Sequence, residues 1–218
     1  MKKLIVFMFL IVLFGSCGQA QDDLESGSFK PSYKMSVQKS HHYDKSNNIY
    51  SNYKYNISLD APNNWGNDMG VSQHTIFRTY QADSAITMAI NVIELEIEEG
   101  EKLANDIMEV YKYQKDRMDY PYKVLIPKHY NTKIEEFKVE KSYLNNQIAL
   151  KRSFVYLVKE DDIEYLNKSV VFQVMIDNLT YTIGLDVPEM FYKLNPSYYD
   201  GLFKGVKFLI DNKLLIDN

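Results

Sequence analysis

Beyond residue 49 the chain alternates apolar and polar positions in several separate stretches, and each reads as a strand with one buried face. Tyr53, Tyr55, Ile57 and Leu59 alternate with Lys54, Asn56 and Ser58, and Ala61-Pro62 closes the run because proline brings no ladder donor. Asn63-Asn64-Trp65-Gly66 then predicts a turn carrying one large anchor. Further strands are expected at His74 to Tyr80 and at Ala85 to about Ile97, the second with Ile93, Leu95 and Ile97 opposite Glu94, Glu96 and Glu98. The period then changes. Leu103, Ile107, Val110, Tyr111, Gln114 and Met118 recur at intervals of three and four, which predicts a helix from about Glu101 to Met118, stopped by Pro121. Alternation returns in Ile134 to Glu140, Gln147 to Val158, Ile163 to Ile176 and Leu179 to Val187. The connections Leu144-Asn145-Asn146, Glu160-Asp161-Asp162 and Asp177-Asn178 are too short for parallel crossovers, so these strands are expected to be antiparallel neighbours. Asn195-Pro196-Ser197 opens a last predicted helix through Tyr199, Leu202, Phe203, Val206 and Leu209.

The order βββαββββα predicts an α+β domain over residues 49–218, a largely antiparallel β-sheet of about six or seven strands flanked by helices. Residues 17–48 are polar and lack an apolar period, so they are expected to form a disordered tether. Ahead of them, Met1-Lys2-Lys3, the apolar run Leu4 to Phe14 and the small residues Gly15-Ser16 read as a signal peptide, residues 1–16. That run is 11 residues long, short of the roughly 20 a membrane-spanning helix needs.

Leu13-Phe14-Gly15-Ser16-Cys17 resembles the lipobox of bacterial lipoproteins, which implies cleavage before Cys17 and diacylglycerol on its sulfur. Cys17 is the single cysteine, so no intramolecular disulfide competes for it. Gly18-Gln19-Ala20 would serve ordinary signal peptidase, leaving plain secretion to the periplasm or beyond as the alternative. Asp22-Asp23 resembles the acidic export marks of some outer-membrane lipoproteins. The expected location is therefore the bacterial cell envelope, at the outer membrane. The expected partners are a membrane, through the N-terminal lipid, and another envelope protein.

Composition narrows the chemistry. The net charge of −4 becomes −6 once Lys2 and Lys3 are lost, and no basic run is present, which excludes nucleic acid as a main partner. No Gly-x-Ser-x-Gly elbow occurs, and nine glycines are spread along the chain without a phosphate-cradling loop. No cofactor is expected. His41-His42 with Asp44 could offer metal ligands, although a polar linker explains the pair as well, and His74 and His129 read as ordinary polar positions. Glu94, Glu96, Glu98, Glu99 and Glu101 could pair as acid and base on a glycan, but their alternation with apolar residues describes a wet strand face directly.

Several phrases resemble the PsbP-like fold, shared by the extrinsic PsbP proteins of photosystem II, the small Ran-binding Mog-type proteins and many bacterial lipoproteins. They are Tyr55-Asn56-Ile57-Ser58-Leu59 with Ala61-Pro62 and Trp65, Asn145-Asn146-Gln147, Leu179 to Ile183, Tyr198-Tyr199, and Val206-Lys207-Phe208-Leu209. None is catalytic, and what the resemblance implies is architecture, not a ligand. The leading expectation is a noncatalytic envelope lipoprotein that binds or assembles proteins. The alternative is a small-ligand or enzymatic site between sheet and helix, lined by Trp65, Tyr111, Tyr143, Tyr156 and Tyr181.

Overall fold

The computed structural model describes residues 41–69, 72, 74–95, 103–160 and 163–209. The signal peptide, Cys17 and most of the expected tether lie outside them. Six strands come first: β1 (His41–Asp44), β2 (Ile49–Asn52), β3 (Ile57–Asp60), β4 (Gly66–Met69), β5 (Thr75–Gln81) and β6 (Ile86–Glu94). A helical segment follows, made of α1 (Ile107–Tyr120), a π-helical turn (Pro121–Leu125) and α2 (Ile126–Tyr130). Four long strands then meander as β7 (Ile134–Leu144), β8 (Gln147–Glu160), β9 (Ile163–Ile176) and β10 (Leu179–Pro188). The described chain closes with α3 (Glu189–Leu194), α4 (Pro196–Leu202), a 3-10 turn (Phe203–Gly205) and β11 (Val206–Phe208).

These strands form two sheets, a four-stranded one ordered β1-β2-β3-β11 and a seven-stranded one ordered β4-β5-β6-β10-β9-β8-β7, with every pairing antiparallel. The α+β class and the antiparallel meander follow the sequence expectation. The helical segment carries the chain from β6, inside the large sheet, to its far edge at β7. Three hairpins then bring it back until β10 pairs with β6.

Alternation along the central strands gives the large sheet two buried faces. On one face Met88, Ile90, Val92, Val170, Val174, Tyr181, Ile183 and Leu185 pack against Tyr50, Ile57, Leu59 and Val206 of the small sheet. The rings of Tyr50 and Phe77 stack across this layer with centroids 4.2 Å apart. Polar tips are also used: Tyr50 Oη donates to the Ile76 carbonyl at 3.2 Å, and Tyr181 Oη to the Tyr55 carbonyl at 2.7 Å. Each ring thus buries its apolar body and satisfies its hydroxyl in the opposite layer. On the other face, Leu150 and Met175 meet Ile107, Val110 and Met118. Beside them, Phe154, Tyr156 and Val158 meet Tyr122 and Ile126.

Four sequence expectations change. His41–Asp44, assigned to the tether, form the edge strand β1, because His41 bonds Tyr50 Oη and Asp44 accepts the Ser46 amide to close a tight turn into β2. The expected run of alternation from Tyr53 is a turn until Asn56, since Asn52 Oδ1 accepts the Tyr55 amide and Asn56 takes φ 47°. Pro121 does not stop the helix; a wider π turn absorbs its missing donor and its ring. Val206–Phe208, expected in the last helix, pair with β3 as a strand. By contrast, the Asn145-Asn146 turn has the expected chemistry, with φ values of 47° and 67° that asparagine tolerates in a two-residue hairpin.

Gly205 is what lets β11 reach β3, for a Cβ there would stand 2.8 Å from the Asp60 carbonyl oxygen, a backbone atom that cannot turn aside. Gly205→Ala is therefore expected to cost about 1–3 kcal/mol through displacement of β11. Urea unfolding at constant m-value measures it, and an unchanged midpoint would show that the closing strand adds no stability.

Candidate functional site

The helix-covered face of β8 reads Ile148, Leu150, Arg152, Phe154, Tyr156, Val158, so a guanidinium occupies a row of otherwise apolar or aromatic side chains. Arg152 is wholly buried and Asp119, from the last turn of α1, is 1% exposed. Such a charge is tolerable only when paired and hydrogen-bonded. Arg152 Nε donates to Asp119 Oδ1 at 3.0 Å, and Nη1 donates to Gln173 Oε1 on β9. Its guanidinium carbon also lies 4.9 Å from the Tyr122 ring centroid and 5.4 Å from that of Tyr111. Those π faces give electrostatic company to Nη2, which has no hydrogen-bond acceptor.

The row continues in both directions. Gln173 Nε2 donates to Thr182 Oγ1 at 3.2 Å, Thr182 stands opposite Asn91 on β6, and Thr75 Oγ1 on β5 donates to Asn91 Oδ1 at 2.6 Å. Toward the helix, Asp119 Oδ2 accepts from Tyr111 Oη and Lys123 Nζ, each at 3.0 Å. Burial, with the Asp119 carboxylate beside it, pushes the Tyr111 phenol up to about 12. Asp119 thus accepts three hydrogen bonds and keeps Arg152 paired, which leaves it the work of a positioned anchor and not of a base.

A second polar group lies on the same face toward the β8–β9 hairpin. Asn167 Nδ2 donates to Tyr156 Oη at 2.8 Å, and Asp186, opposite Ser169 on β9, receives hydrogen bonds from Ser169 and Tyr156. Burial raises the Asp186 carboxyl to about 7, against the opposing pull of those two hydroxyls. Burial likewise drives the Tyr156 phenol far above its ordinary range.

The five residues proposed as a ring-lined pocket are not brought together. Trp65 and Tyr181 belong to the core between the sheets, Tyr156 lies on the opposite face under Tyr122, and Tyr111 contacts Arg152 beside α1. Tyr143 is 63% exposed on edge strand β7. His41 and His42 are consecutive on a strand and so point to opposite faces, with His41 Nδ1 2.7 Å from Tyr50 Oη and its pKa lowered by burial. Among the described residues no three His, Cys, Asp or Glu side chains converge in a metal-binding group. His74 sits where β5 begins, its carbonyl accepting from Val92 N at 2.9 Å, and the His129 ring meets Tyr130 edge-on at 4.9 Å. Of the acidic series, Glu94 is exposed as expected, whereas Glu96, Glu98, Glu99 and Glu101 lie outside the described residues. The Arg152–Asp119 group escaped the sequence reading. Its signal was present: a charged residue in register with the buried face of a long strand.

A large sheet sandwiched between a small sheet and a helical segment defines a layered α+β domain. That architecture is the PsbP-like fold. The structure of the cyanobacterial PsbP protein CyanoP from Synechocystis matches with a TM-score of 0.53 at 14% identity, over 73% of this chain and 91% of that one. LpqN of Mycobacterium tuberculosis, described as involved in cell envelope biogenesis, matches at a TM-score of 0.41 and 12% identity over 68% of this chain and 79% of its own. A Bacteroides thetaiotaomicron protein matches at 0.39 and 12% identity over 70% of this chain and 45% of its own. The fold assignment rests on the first of these. No protein-family model and no curated protein matches the sequence.

Two outcomes are expected. Asp119→Ala strands a buried guanidinium and should cost about 3–5 kcal/mol, whereas Asp119→Leu with Arg152→Met should recover most of that loss. A double-mutant cycle by chemical denaturation measures both, and additive losses would deny the coupling. For Asp186 the folded pKa stands above the unfolded one, so the native state binds the extra proton. Its favourable contribution is complete below about pH 3.8 and is lost as pH rises toward about 7. Asp186→Asn should therefore gain on the wild type across that window, by on the order of 4 kcal/mol at pH 8. Melts from pH 4 to 8 measure the difference, and parallel curves would refute it.

Proposed function

We propose that this chain is a noncatalytic accessory or assembly module of the bacterial cell envelope, presented at a membrane by lipid on Cys17 after removal of residues 1–16. The observation that carries the reading is the mutual engagement of the ionisable side chains beneath the helical segment. Asp119, Arg152, Gln173 and Thr182 bond to one another across the layers, and Asp186 is held by Ser169 and Tyr156. Groups so engaged serve architecture.

The PsbP-like fold supports a docking role, since the fold hosts no single chemistry and what it does is decided by its surfaces. The anchor reading rests on the leader pattern and on Cys17 being the single thiol of the chain. The dispersal of Trp65, Tyr111, Tyr143, Tyr156 and Tyr181 takes support from the ligand-pocket alternative. No described helix is long and apolar enough to cross a membrane.

Metabolic labelling with palmitate tests the anchor: label is expected on the wild-type chain and lost in Cys17→Ala, and the variant, unlike the wild type, is extracted from membranes by high salt. Cross-linking on cells followed by detergent solubilisation tests the partner. Recovery of the chain alone, at a cross-linking efficiency proven on a known envelope complex, would count against the assembly role.

A further inference from the structure

The helical segment has an outer face that the rest of the fold does not use. Along Ile107–Tyr130 the exposed charged residues are Lys112, Lys115, Arg117, Lys123 and Lys128 against Asp116, a local excess of cations on a chain whose net charge is −4. Lys123 pairs with Asp119 below it, while Lys115, Arg117 and Lys128 form no ion pair among the described residues. Between the cations stand exposed apolar bodies: Tyr113 is 67% exposed, Tyr120 48% and Val124 42%. Gln114, with non-helical φ −126° and ψ 25°, kinks α1; before the kink Lys112 folds over the Tyr113 ring at 5.2 Å, and beyond it Asp116 and Arg117 neighbour Tyr120 at spacings of four and three.

We propose that this outer face is a peripheral docking surface for an anionic lipid bilayer. Lysine and arginine interleaved with tyrosine is the composition of a helix that lies in the headgroup layer, its cations over lipid phosphates and its rings at the acyl boundary. Three apolar side chains on a convex helix are too few to form the desolvated core of a protein interface, yet they suffice for shallow interfacial insertion. Opposite charge supplies the attraction, and it does so whether or not Cys17 is acylated. The surface would hold the domain on its side, with the helical layer against the membrane and the four-stranded sheet facing outward.

The test uses the chain without its leader, residues 17–218, carrying Cys17→Ser, with Val124→Cys labelled by an environment-sensitive fluorophore, and a control labelled at Ser46→Cys in the exposed β1–β2 turn of the opposite layer. With vesicles containing phosphatidylglycerol the Val124 label should shift to the blue, reversibly with salt, while pure phosphatidylcholine vesicles and the Ser46 label give no shift. Neutralising Lys112, Lys115 and Arg117 to glutamine should weaken partitioning on the order of a hundredfold. Those side chains are exposed, so the variant keeps its fold, and its melting temperature checks that. An equal response to neutral vesicles, a shift at Ser46 alone, or an unaffected triple variant overturns the proposal. So does a shift with polyglutamate in place of vesicles, which would assign the face to an acidic protein.

Discussion

The seven-stranded sheet has no face left for water along its central strands, and that constraint governs the rest of the molecule. β8, β9 and β10 are long and paired on both sides, so each needs a cover above and below. The small sheet with α3 and α4 supplies one cover and the helical segment the other. Hydrophobic contact alone would let a helix slide over such a surface, because apolar side chains pack acceptably at several settings. The Arg152–Asp119 pair admits one setting: a planar donor fork on β8 must meet a carboxylate on α1 while Gln173 holds its second nitrogen. Its worth lies in where it places the helix, since desolvation offsets most of its attraction.

Legibility from sequence divides along the same line. The long strands were plain because their alternation runs for ten or more residues and ends in asparagine or aspartate turns, so Ile163–Ile176 emerges with the bounds expected of it. Short elements were not. β1 and β4 are four residues each and mostly polar, and they exist because a neighbour offers ladder hydrogen bonds, a tertiary cause invisible in a local window. The same holds for Val206–Phe208, whose spacing suits a helix but whose place beside β3 depends on the missing side chain of Gly205.

The candidate site was misread for a related reason. Residue type alone suggests a shared pocket for the aromatic residues, yet strand parity separates Tyr181 from Tyr156: one faces the small sheet and the other the helix, on strands separated only by β9. Parity was available from the sequence once the strands were set. Applied to Arg152, Gln173 and Thr182, it would have placed three polar side chains on the helix-covered face and asked what satisfies them. Asp119 was harder to find, because a residue on the flank of a helical stripe is ambiguous between core and surface.

The two layers that cover the sheet are unequal in what they offer outward. The helical segment keeps Asp119, Tyr122 and Ile126 inside and sends its cations out, so the ends of its side chains are sorted by charge as well as by polarity. Lys123 stands at the rim, its ammonium held by Asp119 and lying 4.8 Å from the Phe137 ring centroid. One buried carboxylate is thereby shared by two cations, Arg152 beneath the helix and Lys123 at its rim, so the exposed side of the segment keeps a net positive charge. The interaction that fixes the helix on the sheet is thus also what leaves its outer charge uncompensated.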